Sequence, residues 1–212
     1  MLTHNNLTID RLNHSAFRIS GKKIVYIDVF NIPDAKIGDI VLVSHEHFDH
    51  CSIEDLQKVC GPETVIVCPP DCQSKIMAGQ VECRQILLVK PGVKLNIDGV
   101  KIQAVHAYNT NKKFHPKENE WVGYVIEIDG TRLYHAGDTD VIPEMNSFKN
   151  IDVACLPVSG TYVMTAKEAV KAAEMINPKI AVPMHYGAII GTVADAEEFK
   201  RGWKGKTEIL GP

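Results

Sequence analysis

The sequence predicts an α/β protein with two sheets covered by helices. One observation is the recurrence of strand-then-helix units. Ile40-Val41-Leu42-Val43 is an apolar, β-branched run, Ser52-Ile53-Glu54-Asp55 opens a helix, and Thr64-Val65-Ile66-Val67-Cys68 is a second buried run. The other is a pair of two-residue turns. Asp98-Gly99 and Asp129-Gly130 each separate two strand-like segments, the strongest short-range signal of an antiparallel hairpin. βα units mixed with hairpins call for two mixed sheets with helices packed on them. The chain has 212 residues, 45% hydrophobic and 23% charged, which suits one soluble globular domain spanning residues 1–212.

In chain order, Leu7–Leu12 alternates apolar and polar residues as a half-buried strand does, and Ala16–Ile19 is a shorter piece of that kind. Gly21-Lys22 turns the chain into a more buried strand, Lys23–Asp28. Pro33, Asp34 and Gly38 mark a loop before the Ile40–Val43 strand. Ser52 is placed to cap a helix whose first turn carries Glu54 and Asp55, and Gly61-Pro62 stops it. Pro69-Pro70 closes the next strand, a short helix over 71–78 follows, and Gln85–Val89 is again a strand. The hairpins run Val93–Ile97 with Val100–Ala104, and Val122–Ile128 with Thr131–Tyr134. Ile151–Val158 is a core strand. Thr165-Ala166-Lys167-Glu168 is a capping box, and Ala169, Val170, Ala173 and Ile176 give its helix an apolar face. Asn177-Pro178 ends that helix, Lys179–Met184 is a strand, a last helix covers about 194–201, and Thr207–Leu210 closes the chain as a strand.

Chemistry concentrates in Ser44-His45-Glu46-His47-Phe48-Asp49-His50, directly after the Ile40–Val43 strand. Ligand sites in open α/β sheets lie at such strand ends. Imidazole and carboxylate suit Zn²⁺, Mn²⁺ or Fe. In an extended segment side chains alternate, so His45 and His47 point the same way, and a following turn lets Asp49 and His50 face a second ion. His14, His106, Asp138 and His185 each stand at or just past the end of a strand-like run. Gly137 before Asp138 permits a tight backbone path. His135 shares a strand face with Gly137 and suits a supporting role behind the ligands.

The Ser44–His50 stretch is the H-x-H-x-D-H motif of the metallo-β-lactamase superfamily, and the chain resembles that superfamily along nearly its whole length. His14-Ser15-Ala16-Phe17, Tyr134-His135-Ala136-Gly137-Asp138-Thr139 and Pro183-Met184-His185-Tyr186-Gly187 resemble its small single-domain branch, which includes L-ascorbate-6-phosphate lactonase. The resemblance implies a four-layer αβ/βα sandwich, the metallo-β-lactamase fold. It implies two divalent ions, Zn²⁺ foremost with Mn²⁺ or Fe as alternatives. His45, His47 and His106 would hold the first, Asp49, His50 and His185 the second, and Asp138 would bridge. A metal-bridging hydroxide would then cleave a lactone, ester or phosphoester in a small, anionic metabolite. Asp49 and His14 are the candidates for proton transfer, since imidazole exchanges protons near neutral pH. A phosphodiesterase acting on RNA and a non-hydrolytic metal sensor or redox module are the alternatives.

Composition narrows the partners. A net charge of −3 argues against broad binding to nucleic acid. No run of about 18 apolar residues is present, so no transmembrane helix is expected. Met1–Leu7 lacks the basic start and apolar core of a signal peptide, which points to the cytoplasm. The six cysteines form no C-x-x-C pair and read as free thiols, with Cys155 in the core and Cys51 packed behind the ligands. The segment 109–121 carries Lys112, Lys113, His115 and Lys117. It reads as a mobile solvated loop or, more sharply, as a lysine cluster that attracts an anionic substrate. A small-molecule partner is expected, and a homo-oligomer is compatible with everything above.

Overall fold

The apolar runs become the strands of two seven-stranded sheets, and each sheet belongs to its own unit. The computed structural model describes residues 1–211, and the units are Met1–Lys90 with Gly211, and Pro91–Leu210.

The first unit orders its strands as they occur in sequence: β1 (Leu2–His4), β2 (Leu7–Asn13), β3 (Ala16–Ser20), β4 (Ile24–Ile27), β5 (Ile40–Leu42), β6 (Val65–Cys68) and β7 (Gln85–Leu88). The first four are antiparallel, and β4 to β7 are parallel. Parallel neighbours need crossovers, which α1 (Ile53–Val59) and α2 (Pro70–Ala78) supply between the later strands. β5 and β6 are buried at every position, hence their unbroken apolar sequence. Leu56 and Val59 of α1 and Cys72 and Ile76 of α2 share one core with Val41, Val43, Ile66 and Cys68. Ser52 caps α1, its hydroxyl accepting from the Asp55 amide at 3.3 Å.

The second unit repeats that plan. β8 (Lys94–Ile97), β9 (Val100–His106), β10 (Val122–Ile128) and β11 (Thr131–His135) are antiparallel, and β12 (Val153–Pro157), β13 (Ile180–Met184) and β14 (Lys206–Thr207) continue in parallel. Asp98 and Gly99, and Asp129 and Gly130, all have positive φ, as two-residue hairpin turns require. α3 (Ala166–Ile176) opens on the Thr165–Glu168 capping box, and α4 (Val193–Gly202) on a second box, Thr192 with Asp195. α3 buries Ala169, Ala172, Ala173 and Ile176. Val170 is half-buried and packs against α4, where a side-chain carbon on Gly202 would stand 2.8 Å from its Cγ2.

Four expectations change. Strand β1 is additional, joined to β2 by an Asn5-Asn6 turn in which Asn5 takes φ 51°. The second helix box at Thr192 is additional as well. The closing strand is shorter, since only Lys206 and Thr207 pair with β13. The segment 109–121 is exposed over most of its length, as a solvated loop is, but it is anchored: Asn109, His115 and Trp121 are buried, and Lys117–Asn119 form a 3-10 turn. The Asp140 carboxylate gathers it, accepting from the Thr110 amide at 2.8 Å and from the Lys112 ammonium.

Candidate metal centre

In the first unit the candidate ligands follow β5 and are aimed by Asp28, at the end of β4. The Asp28 carboxylate accepts from the Ser44 amide and hydroxyl, both at 2.7 Å, and from His50 Nδ1 at 2.8 Å. All three groups are buried, so each bond is made in a low dielectric. The Ser44 hydroxyl spends its proton on Asp28 and therefore accepts from His45 Nδ1, 2.9 Å away. Both His45 and His50 thus carry their proton on Nδ1 and offer the Nε2 lone pair. His45 Nε2 and His47 Nδ1 lie 3.0 Å apart. The His50 and Cys51 amides both donate to the His47 carbonyl, at 3.0 and 2.8 Å, making the turn that reverses the side of Asp49 and His50. Asp49 Oδ2 stands 3.5 Å from His50 Nε2 and 3.4 Å from His14 Nε2, and the ligand atoms of these three residues lie within 4.8 Å of one another.

In the second unit Asp138 is the hub. Its Oδ2 lies 3.1 Å from His185 Nε2 and 3.2 Å from His115 Nε2, with all three side chains buried. His185 Nδ1 meets the Ser159 hydroxyl at 2.9 Å. His115 Nδ1 lies 3.2 Å from both the Tyr162 carbonyl and the Asn109 amide nitrogen, and donation to that carbonyl leaves Nε2 as the ligand atom. Gly137, at φ 63°, gives the chain its path into Asp138. The buried His135 ring accepts from the Gly137 amide at 3.3 Å and so holds that path. Gly123 of β10 is obligatory nearby: a side-chain carbon there would stand 2.6 Å from the Ala136 carbonyl oxygen.

These donors fit a divalent cation. They are nitrogen and carboxylate oxygen throughout, and partners hold the far nitrogens of His45 and His50 (buried Ser44 and Asp28) and of His115 and His185 (half-buried Tyr162 and Ser159). His45 Nε2 and His47 Nδ1, 3.0 Å apart, are close enough for one cation to take both nitrogens in place of the hydrogen bond between them. The residues brought together within a unit are therefore His45 with His47, His14 with Asp49 and His50, and Asp138 with His185.

His106 is different. It ends β9 half-buried, packs edge-on to Tyr108, and belongs to no grouping of three or more metal-capable side chains among the described residues. His115 has the position beside Asp138 instead. Asp28, Ser44, Ser159 and Asn109 were also illegible as site residues, because only their contacts distinguish them from ordinary strand-end polar residues. His115 carried one signal: it sits in a polar segment yet is the sole histidine between the two hairpins' long strands.

A family model described as a beta-lactamase superfamily domain matches residues 8–185. A UPF0173 metal-dependent hydrolase of Pyrococcus abyssi is 35% identical, with 95% of each chain covered. One of Thermococcus onnurineus is 33% identical over 94% of this chain and 93% of that one. A crystal structure from Parabacteroides distasonis, named as a metal-dependent hydrolase, superposes with a TM-score of 0.85 at 34% identity, covering 96% of this chain and 92% of the other. Igni18, a metallo hydrolase of Ignicoccus hospitalis, shares the fold at a TM-score of 0.77 and 22% identity, covering 97% and 95%.

Proposed function

The chain belongs to the metallo-β-lactamase superfamily, among the metal-dependent hydrolases, and from that premise we propose that it works with two divalent ions on a lactone, ester or phosphoester of a small metabolite. His45, His47, Asp49 and His50 of the first unit, and His115, Asp138 and His185 of the second, would supply the metal ligands. Zn²⁺ is the first choice, with Mn²⁺ or Fe next. The observation that carries the reading is the outer set of partners. Asp28, Ser44, Ser159 and the Tyr162 carbonyl each occupy one ring nitrogen of a histidine and leave the other for an ion.

Bound there, two divalent ions supply an activated water and neutralise charge developing on the substrate's carbonyl or phosphoryl oxygen. The chain's own residues do the rest. Asp49 orients the water and takes its proton. His14 stands 3.4 Å from that carboxylate and can carry the proton onward. Hydrolysis puts the water's oxygen on the acyl or phosphoryl centre, breaks the bond to the leaving oxygen, and delivers the proton to that oxygen. The charges of Lys112 and Lys117 are engaged by Asp140 and Glu144, so they add little attraction for an anionic substrate. We take the partner to be a small molecule met in the cytoplasm, without nucleic acid or membrane. The net charge of −3 supports this, and no helix among the described residues is long and apolar enough to cross a membrane.

The test joins stoichiometry to turnover. Protein never exposed to chelator should carry close to two equivalents of divalent metal, and should hydrolyse members of a lactone and ester panel with Zn²⁺ or Mn²⁺ added. Failure to take up metal sinks the reading. Turnover of single-stranded RNA in preference to the panel replaces it with the phosphodiesterase alternative.

A further inference from the structure

Phe48 lies between His47 and Asp49, in the middle of the ligand motif, and is 66% exposed. Isolated exposed apolar residues are ordinary on protein surfaces. This one is not isolated. Phe30 stands edge-on to it, with ring centroids 5.7 Å apart and planes at 79°, and Phe30 in turn stands edge-on to His14 at 6.4 Å. Phe48, Phe30 and His14 thus form a continuous row of rings ending at the histidine that contacts Asp49.

Nor is the exposure an accident of a loose loop. The turn under Phe48 is closed by the His50 and Cys51 amides on the His47 carbonyl. Its other side is pinned by Lys75, which donates to the Glu46 carbonyl and pairs with the Glu46 carboxylate, each at 2.9 Å. The Phe30 loop is held by the Asp55 carboxylate, which accepts from the Asn31 amide at 2.6 Å and the Ile32 amide at 3.3 Å. Rigid apolar surface beside reactive groups is the usual lining of a small-molecule site, where a few polar groups orient and the rest of the contact is hydrophobic. The second unit shows the same feature independently. Phe114, 47% exposed, immediately precedes His115 and is braced edge-on by Tyr162 at 4.7 Å.

Resting on the hydrolase reading above, we infer that Phe30 and Phe48 bind an apolar hydrocarbon group of the substrate, so that the enzyme prefers esters or lactones with an alkyl or acyl chain over small polar ones. The occupant is set by continuity: the rings adjoin Asp49 and His14, so the group they contact is the one next to the bond being cleaved. Apolar contact adds affinity with each methylene covered.

The experiment compares p-nitrophenyl acetate, butyrate and octanoate on metal-loaded protein. The expected result is a kcat/KM at least ten-fold higher for octanoate ester than for acetate ester, carried mainly by KM. Phe48→Ser and Phe30→Ser should each reduce that ratio at least five-fold, and Phe48→Leu should retain most of it. The ratio is the readout, so a general loss of rate does not mimic the effect. A flat series, or a ratio indifferent to both serine variants, overturns the inference while leaving the hydrolase reading intact. A second measurement needs no turnover. Ligand-observed NMR should detect octanoate on the parental protein and not on Phe48→Ser, with acetate as the charge-matched control. Equal octanoate signals in both proteins overturn it too. Absence of hydrolysis across the whole panel, with octanoate binding still dependent on Phe48, fails the hydrolase reading alone.

Discussion

As letters His106, at a strand end, outranks His115, which sits among lysines, and their surroundings reverse that order. His106 continues a strand and pairs across to Val122, so its backbone obeys the sheet. His115 is held at φ 55°, and His14 and His185 likewise at 34° and 61°. Among the described residues, the others with positive φ that are neither Gly, Asn nor Asp are only Gln80 and Glu120. Left-handed backbone in such residues costs about 1–3 kcal/mol and persists where the surroundings impose it, often at functional sites. The concentration in histidines argues that these three are placed for their rings. His115→Ala should therefore lower bound metal below two equivalents and reduce kcat/KM by at least 100-fold, whereas His106→Ala should keep its metal. Metal analysis of the two variants checks this, and the reverse result would restore His106 to the ligand set. Asp138→Ala should lose turnover while its circular dichroism stays parental, because Asp138 lies past β11 and outside the apolar core.

The elements matter through the carboxylates at their ends. Asp55, in the first turn of α1, accepts from Ser52 at 2.7 Å, from Lys58 at 3.0 Å and from the Asn31 and Ile32 amides. Burial pushes its carboxyl up, but these donors outweigh it and hold the carboxyl below its ordinary 3.8. A carboxylate depressed by folding contributes stability that is full above the unfolded value and lost as pH falls through the folded one. Asp55→Asn should cost about 2–3 kcal/mol at pH 7. The gap between parent and variant should narrow when denaturant melts are repeated from pH 5 down to pH 3, and a constant gap would remove the charge from the explanation. The lysine segment belongs here as well. Lys112 is tied to Asp140, and Lys117 to Glu144 and over the Tyr108 ring, so these lysines hold the element that carries His115. Lys112→Ala should weaken metal retention more than it raises KM for an anionic substrate. A raised KM that shrinks with salt, with metal retained, would return this segment to anion attraction.

Both units run four antiparallel strands into three parallel ones, and both place candidate ligands just past strand ends, His45–His50 after β5, Asp138 after β11 and His185 after β13. Ligand groups held mutually close and buried without a cation are electrostatically costly, so metal should stabilise the folded chain. An ion at 100 times its dissociation constant adds about 2.7 kcal/mol, worth roughly 5–10 °C in Tm for a protein of this size. Chelator should lower the melting temperature by that much and added Zn²⁺ or Mn²⁺ restore it. A Tm indifferent to both would mean that the centre is not loaded in the folded state.

The fold was legible because its signals are local. An unbroken apolar run is a buried parallel strand, as at β5 and β6, and Asp-Gly between alternating segments is a hairpin, as at Asp98 and Asp129. Capping boxes announce helices within four residues, as at Thr165. The motif from His45 to His50 was legible for the same reason, since its candidate ligands are neighbours in the chain. What the letters could not decide was pairing at a distance. Asp28 reads as the polar end of a strand until its carboxylate is found against His50, 22 residues on. His115 reads as part of a charged loop until it is found against Asp138, and the lysines beside it read as free charges until Asp140 and Glu144 engage them. Which of two plausible histidines is aimed at a carboxylate depends on backbone dihedrals and burial, and the fold sets those through contacts that no local pattern encodes.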